Sequence, residues 1–219
     1  MDSRHEEQSA GPPTRPVATE RRMGDDTTWS TPWPPANTEY PDLLISSVSD
    51  FDDWVDTRVE PLRRRPGLDR LAAMASFLGD HGLVWFLVLV ARIRRPGLRR
   101  RSAVRAVLFT GLVVPVVNGA LKSLVDRSRP AEPAEMAGLR PPSSASFPSG
   151  HSLAAWCAAT MLAEDDSRAA VYYATAAAVS WSRIHLRHHH ATDVVGGSVL
   201  GCALGAVGRR IDREQCRRR

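Results

Sequence analysis

Three polar clusters interrupt the apolar part of this 219-residue chain, and their residue types suit chemistry on an anionic ester. In chain order the clusters contain Lys122 and Arg129, then Ser149, Gly150 and His151, then Arg183, His189 and Asp193. A phosphate ester reacts when cations surround its oxygens, a nucleophile stands in line and an acid protonates the leaving group. The clusters contain side chains for each of these tasks.

The cationic side chains are suited to hold a phosphate. Arg129 and Arg183 each present a planar fork that matches phosphate oxygens, whereas Lys122 contributes a point charge. Ser149 and Gly150 stand immediately before a predicted helix, so their backbone N–H groups can point at an anion. The residue types and positions therefore permit these five residues to bind a phosphate.

A run of three histidines occupies residues 188–190. Asp193 follows His189 by four residues, and on a helix this spacing places both side chains on one face, where the carboxylate can orient the imidazole. Consecutive residues of a helix point in different directions, so the three imidazoles cannot converge on one metal ion. The sequence thus predicts no metal site and no cofactor.

Apolar segments flank the clusters. A helix needs about 20 apolar residues to cross a bilayer, and five segments approach that length: 69–91, 103–125, 150–164, 168–183 and 191–208. The last three are rich in Ala, Gly and Ser, which suits close helix packing in a membrane. We predict an all-α, multi-pass transmembrane bundle of about five spans, with a compact soluble helical domain as the alternative.

The order of spans and clusters brings the clusters together. The first cluster ends the second span, the second begins the third span, and the third joins the fourth span to the fifth. If neighbouring spans are antiparallel, all three clusters lie on the same side of the membrane. Unrelated loop residues would have no reason to share one side.

The remaining segments are polar. Residues 1–42 hold seven prolines and no apolar run, which predicts a disordered tail without a signal peptide. Residues 43–60 carry one apolar stripe opposite an acidic face, which predicts an amphipathic helix, either on the membrane surface or packed as an ordinary helix of the bundle. We divide the rest into this helix with its linker (43–66), a membrane domain (67–210) and a basic tail (211–219).

Composition restricts the classes of partner that the sequence favours. The net charge is +5, and Lys122 is the one lysine among 29 basic residues. A basic balance suits nucleic acids or anionic lipids. Since no zinc-finger or aromatic-interleaved RNA-binding pattern occurs, we predict a lipid bilayer and a membrane lipid substrate as partners, and no nucleic acid. The three cysteines are isolated and give no disulfide framework.

Written as K-x6-RP, PSGH and SR-x5-H-x3-D, the clusters resemble the three signature motifs of the type 2 phosphatidic acid phosphatase (PAP2) superfamily over roughly residues 68–209. The resemblance implies a metal-independent phosphatase in which His189, by its register with Arg183, is the nucleophile and forms a phosphohistidine. It also implies that His151 is the general acid and that Asp193 holds the imidazole of His189.

The same resemblance implies a substrate class. Such an enzyme would hydrolyse a lipid phosphate or diphosphate, for example phosphatidate, phosphatidylglycerol phosphate or a polyprenyl phosphate. Two alternatives stay open at this point. One is a phosphatase for a soluble phosphate ester, and the other is a catalytically silent membrane protein that retains the motif.

Arginine-rich segments predict the orientation. Residues 92–101 and 209–219 lie opposite the clusters in a five-span arrangement, and the positive-inside rule places them in the cytoplasm. We therefore expect a plasma-membrane protein whose active site is extracytoplasmic. The arginines at 63–65 oppose this orientation, and a sixth membrane element within 43–66 would remove the conflict.

Overall fold

The computed structural model describes residues 39–93, 98–130, 145–164 and 166–217. The described residues belong to one compact unit. Most of the predicted disordered tail, residues 1–38, lies outside the described residues, as does the segment 131–144 between the first two clusters. The division into tail, linker, membrane domain and basic tail stays a prediction.

The described ranges contain helices and no strand, which confirms the all-α class. The helices are α1 Glu39–Val59, α2 Pro66–Gly79, α3 Leu83–Ile93, α4 Leu98–Leu124, α5 Gly150–Ala163, α6 Ala169–His185 and α7 Ala191–Arg217. Short 3-10 turns follow α1, at Glu60–Leu62, and α2, at Asp80–Gly82.

The first predicted span, 69–91, is broken rather than continuous. Helices α2 and α3 meet at 70° across the turn Asp80–Gly82. Gly82 has a φ of +70°, a left-handed conformation that costs glycine little because it has no Cβ. The polar turn therefore interrupts the apolar run and places Asp80 at the bend.

Two described helical segments, Arg101–Leu124 and Ala191–Gln215, are long and apolar enough to cross a membrane, and the bent α2–α3 pair would be a third. Helices α5 and α6 coincide with predicted spans, but at 14 and 17 residues they are shorter than these segments. The multi-pass helical architecture is confirmed, whereas the count of five spans stays a prediction.

Helix α5 is the centre of the bundle, and α7 packs directly on its backbone. A Cβ added to Gly197 would lie 2.6 Å from the carbonyl oxygen of Ser149, and one added to Gly205 would lie 2.8 Å from that of Cys157. Gly201 approaches the Leu153 carbonyl in the same way. These glycines let two helices touch without side chains between them, so the start of α7 is fixed beside the start of α5.

Helix α1 packs with its acidic face toward the bundle. Asp52 is buried, whereas the apolar side chains of Phe51 and Trp54 are 42% and 54% exposed. An ordinary packing helix in water would bury the apolar stripe instead. The contacts therefore favour the membrane-surface alternative, in which the apolar stripe meets lipid.

Candidate active site

All three clusters meet at one cavity of about 590 Å³. Its polar lining includes the following cluster residues: Lys122, Arg129, Gly150, His151, Arg183 and His189. Two predicted site residues, Ser149 and Asp193, are fully buried and do not line the cavity. The fold thus gathers residues that lie up to 67 positions apart, from 122 to 189, around one space.

The turn between α6 and α7 presents His189 to the cavity. After α6 ends at His185, the chain reverses through Arg187, whose φ is +56°. The backbone N–H groups of His188 and His189 then donate to the carbonyl oxygen of Arg183, at 3.0 and 3.2 Å. His189, the predicted nucleophile, and Arg183, a predicted phosphate-binding residue, are therefore tied together through the backbone.

The prediction that His189 shares a helix face with Asp193 is wrong in its local structure. Helix α7 begins only at Ala191, so His189 lies in the preceding turn, while Asp193 lies in the first turn of the helix. The Asp193 carboxylate reaches back to the backbone N–H of His190 at 2.8 Å. This contact ends the turn and starts the helix, much as a capping residue does.

The two ring nitrogens of His189 have different neighbours. Nε2 lies 3.5 Å from a guanidinium nitrogen of Arg129, and Nδ1 lies 3.7 Å from a carboxylate oxygen of Asp193. The second distance is longer than a hydrogen bond, so the predicted orienting contact is an electrostatic one in this structure. Burial, with Arg129 and Arg183 nearby, lowers the pKa of His189 to about 4. The imidazole is neutral at pH 7, as a nucleophile requires.

Asp193 is held by three donors. Its carboxylate accepts from Ser146 Oγ at 2.5 Å, from Arg127 at 2.6 Å and from the His190 backbone N–H at 2.8 Å. Sequence reasoning missed Ser146 and Arg127. Arg127 stands two residues before the motif arginine Arg129, which was the available signal; nothing in the sequence pointed to Ser146.

The cations are anchored to neighbouring polar atoms. Arg183 is 5% exposed and donates to Ser76 Oγ at 2.5 Å. Arg129 donates to the backbone oxygen of His188 at 2.7 Å, and Lys122 donates to that of Ala145 at 2.8 Å. Such contacts limit side-chain freedom, so the positive groups are preorganised around the cavity.

The predicted role of the Ser149 backbone N–H is wrong. That N–H donates to the carbonyl oxygen of Asp193 at 3.0 Å, which ties the start of α5 to α7 and removes it from anion binding. Gly150 is the first residue of α5, and its N–H belongs to the first turn, which lacks intrahelical acceptors. Of the two, Gly150 is the one that lines the cavity.

His151 has a partner outside the motifs. Its Nε2 lies 2.6 Å from Oδ1 of Asp80, at the bend between α2 and α3. Sequence reasoning gave Asp80 no role in the site, although an acidic residue inside a predicted span is a recognisable signal. Across the described part of the chain, no three His, Cys, Asp or Glu side chains are grouped as metal ligands.

The chain is similar to several proteins of known family. Residues 103–215 match the family model of the PAP2 superfamily. The chain is 32% identical over 145 residues to decaprenylphosphoryl-5-phosphoribose phosphatase of Mycobacterium tuberculosis, covering 65% of this chain and 80% of the relative. It is 34% identical over 138 residues to the Mycolicibacterium smegmatis protein of that name, covering 62% and 74%.

Two solved structures share the fold. The first transmembrane PAP2 type phosphatidylglycerolphosphate phosphatase from Bacillus subtilis superimposes with a TM-score of 0.63 at 24% identity, over 77% of this chain and 87% of that one. Aquifex aeolicus LpxE superimposes with a TM-score of 0.54 at 25% identity, over 67% and 88%.

Proposed function

The chain belongs to the PAP2 superfamily and is a membrane lipid phosphatase, and we propose that its substrate is a phosphate monoester carried by a polyprenyl lipid. The observation that carries this proposal is the lining of the cavity. One end holds the cationic and histidine side chains, and the rest of its wall is largely apolar, formed by Trp85, Phe86, Val107, Val114 and Pro115 among others. Such a wall suits a hydrocarbon chain better than water.

The volume limits how much of the lipid enters. A cavity of about 590 Å³ is the size of an ordinary small-molecule pocket. It accommodates a sugar phosphate and the first part of a chain, so the remainder of a polyprenyl tail would lie in the bilayer. Two relatives named as phosphatases of decaprenylphosphoryl-5-phosphoribose favour this head group over a phosphatidyl one.

The chemistry would proceed in two steps. Lys122, Arg129 and Arg183 hold the phosphate, and Nε2 of His189, the nitrogen on the Arg129 side, attacks phosphorus. A P–N bond forms while the P–O bond to the substrate breaks, and His151 gives its proton to the departing oxygen. Asp193 stabilises the positive charge that develops on His189.

Hydrolysis of the phosphohistidine completes the cycle. His151, now without its proton, takes one from a water molecule, whose oxygen attacks phosphorus. The P–N bond breaks, inorganic phosphate leaves, and both histidines return to their starting states. Asp80 would keep the ring of His151 in position during both steps through its 2.6 Å contact.

We place the enzyme in the plasma membrane with this end of the bundle extracytoplasmic. Arginines at the other end, Arg209, Arg210 and Arg213 in α7, fit a cytoplasmic surface. Arg63, which opposed this orientation in the sequence, bonds to Asp56 and Glu60 and to the carbonyl oxygens of Ile184 and His185 at the end of α6.

A substrate panel tests the proposal. The purified protein in detergent receives decaprenylphosphoryl-5-phosphoribose, phosphatidylglycerol phosphate, phosphatidate and free ribose 5-phosphate, and phosphate release is measured with His189→Ala as the blank. We expect the highest kcat/KM for the polyprenyl substrate. Equal or higher kcat/KM for ribose 5-phosphate would instead identify a phosphatase for soluble esters, and a preference for either phosphatidyl lipid would refute the polyprenyl assignment.

A further inference from the structure

Asp52 is a buried carboxylate on α1, outside all three clusters. It is 5% exposed, and it accepts the backbone N–H of Thr192 at 2.8 Å and the Thr192 hydroxyl at 2.8 Å. Thr192 lies in the first turn of α7, next to Asp193. A side chain 140 positions earlier in the chain therefore holds the start of the helix that carries Asp193.

Arg127 connects Asp52 to Asp193. One of its terminal nitrogens bonds to Asp52, and the other bonds to Asp193 at 2.6 Å and to the Thr192 hydroxyl at 2.7 Å. A guanidinium held at two points has little freedom to rotate, whereas one held by a single carboxylate retains more. The position of the Asp193 carboxylate thus depends on Arg127 and, through Arg127, on Asp52.

The charges of this group matter for the neighbouring histidine. Two carboxylates and one guanidinium leave a net charge of −1, and the Asp193 side of the group lies 3.7 Å from Nδ1 of His189. Removal of the Asp52 charge would leave Asp193 neutralised by Arg127 alone. The group would then give less support to the positive charge that His189 acquires when it attacks phosphorus.

We propose that Asp52 is a positioning residue for the phosphoryl-transfer step, which makes the amphipathic helix α1 part of the catalytic unit. Asp52 acts through Arg127, which fixes Asp193 opposite His189 and preserves the negative charge of the group. The inference rests on the proposed role of His189 as nucleophile, and it does not depend on which lipid is the substrate.

The variant Asp52→Asn separates this role from simple docking of α1. Asparagine has the shape of aspartate and keeps an oxygen for the Thr192 N–H, but it lacks the charge that pairs with Arg127. Asp53→Asn is the matched control, because it makes the same change one residue further on, at an exposed side chain. Asp52→Glu tests whether restoring the charge restores the rate.

The readouts are kcat, KM and the rate of phosphohistidine formation by rapid quench, all with p-nitrophenyl phosphate. We expect Asp52→Asn to lower kcat and the phosphorylation rate about 10- to 100-fold, as misplacement of supporting groups does. KM should change less than about twofold, because the phosphate-binding cations are untouched. Asp53→Asn should match the wild type, and Asp52→Glu should recover part of the rate.

Three results would overturn the proposal. The first is an Asp52→Asn kcat within about twofold of the wild type, per folded molecule counted by size-exclusion chromatography. The second is a rise in KM without a fall in kcat. The third is a loss of kcat in the Asp52→Asn, Arg127→Gln double variant that equals the two single losses combined. If Asp52 acts through Arg127, the double variant should lose no more kcat than Arg127→Gln loses alone. Failure on the polyprenyl lipid, with these results intact, would refute the substrate assignment only.

Discussion

Replacing Gly197 with alanine should damage catalysis without touching a catalytic side chain. The added Cβ would lie 2.6 Å from the Ser149 carbonyl oxygen, whereas ordinary contact begins at 3.4 Å, so α7 must move away from α5 by about 0.8 Å at this point. The obstacle is backbone and cannot rotate aside. Since α7 carries Asp193 and α5 carries His151, the shift separates the two halves of the site.

The size of the effect follows from that displacement. A misplacement of about 1 Å commonly costs on the order of 100-fold in rate, so we expect kcat of Gly197→Ala to fall roughly 10- to 100-fold. Overpacking at such a contact should also lower the free energy of unfolding by about 1–3 kcal/mol. The cations that we propose to bind phosphate lie outside α7, so KM should change less than kcat.

Phosphate release and thermal unfolding in detergent measure both quantities. Gly119→Ala is the control: it makes the same substitution in helix α4, where a Cβ meets nothing within 4 Å, and it should keep wild-type activity and stability. A Gly197→Ala protein with wild-type kcat and melting temperature would show that α5 and α7 are not in backbone contact, and the account of how the site is assembled would fail.

Four further outcomes are expected. His189→Ala should abolish turnover and the acid-labile phosphoenzyme, while His188→Ala should keep substantial activity; the reverse pattern in rapid-quench experiments would mean that the histidine register is wrong. Asp80→Asn should slow the hydrolysis of alkyl phosphates more than that of p-nitrophenyl phosphate, because a good leaving group depends less on protonation by His151. Equal losses of rate on both substrates would argue that Asp80 does not support His151 as the acid. Activity should survive EDTA and be inhibited by vanadate, and restoration of a lost activity by magnesium would contradict the mechanism. In histidine NMR, His189 should titrate near pH 4 rather than at the ordinary 6.5. Because the unfolded chain then binds a proton at a higher pH than the folded chain does, the free energy of unfolding should fall as the pH drops from 6.5 to 4. An NMR midpoint above pH 6 would contradict the burial of this imidazole.

The sequence determined the class of the fold and several of the polar side chains that line the cavity. Apolar length and small-residue content are local properties, so they located helices α4 to α7 to within a few residues, apart from the longer C-terminal end of α7. Motif spacing likewise selected three cations and two histidines that line one cavity in the structure, and their roles in binding and catalysis stay predictions. The broken first span showed the limit of this reasoning, since hydropathy averages over a turn as short as Asp80–Gly82.

The tertiary structure decided which side chains meet across elements. Asp80 reaches His151 from 71 positions away, and Asp52 reaches Thr192 from 140 positions away. Spacing along a chain fixes relative directions only within one helix, so no pattern predicts such pairs. They depend on how helices pack, here on a glycine contact between α5 and α7 and on an acidic face of α1 that turns inward. That packing, more than the motifs, determines where the Asp193 carboxylate lies relative to His189.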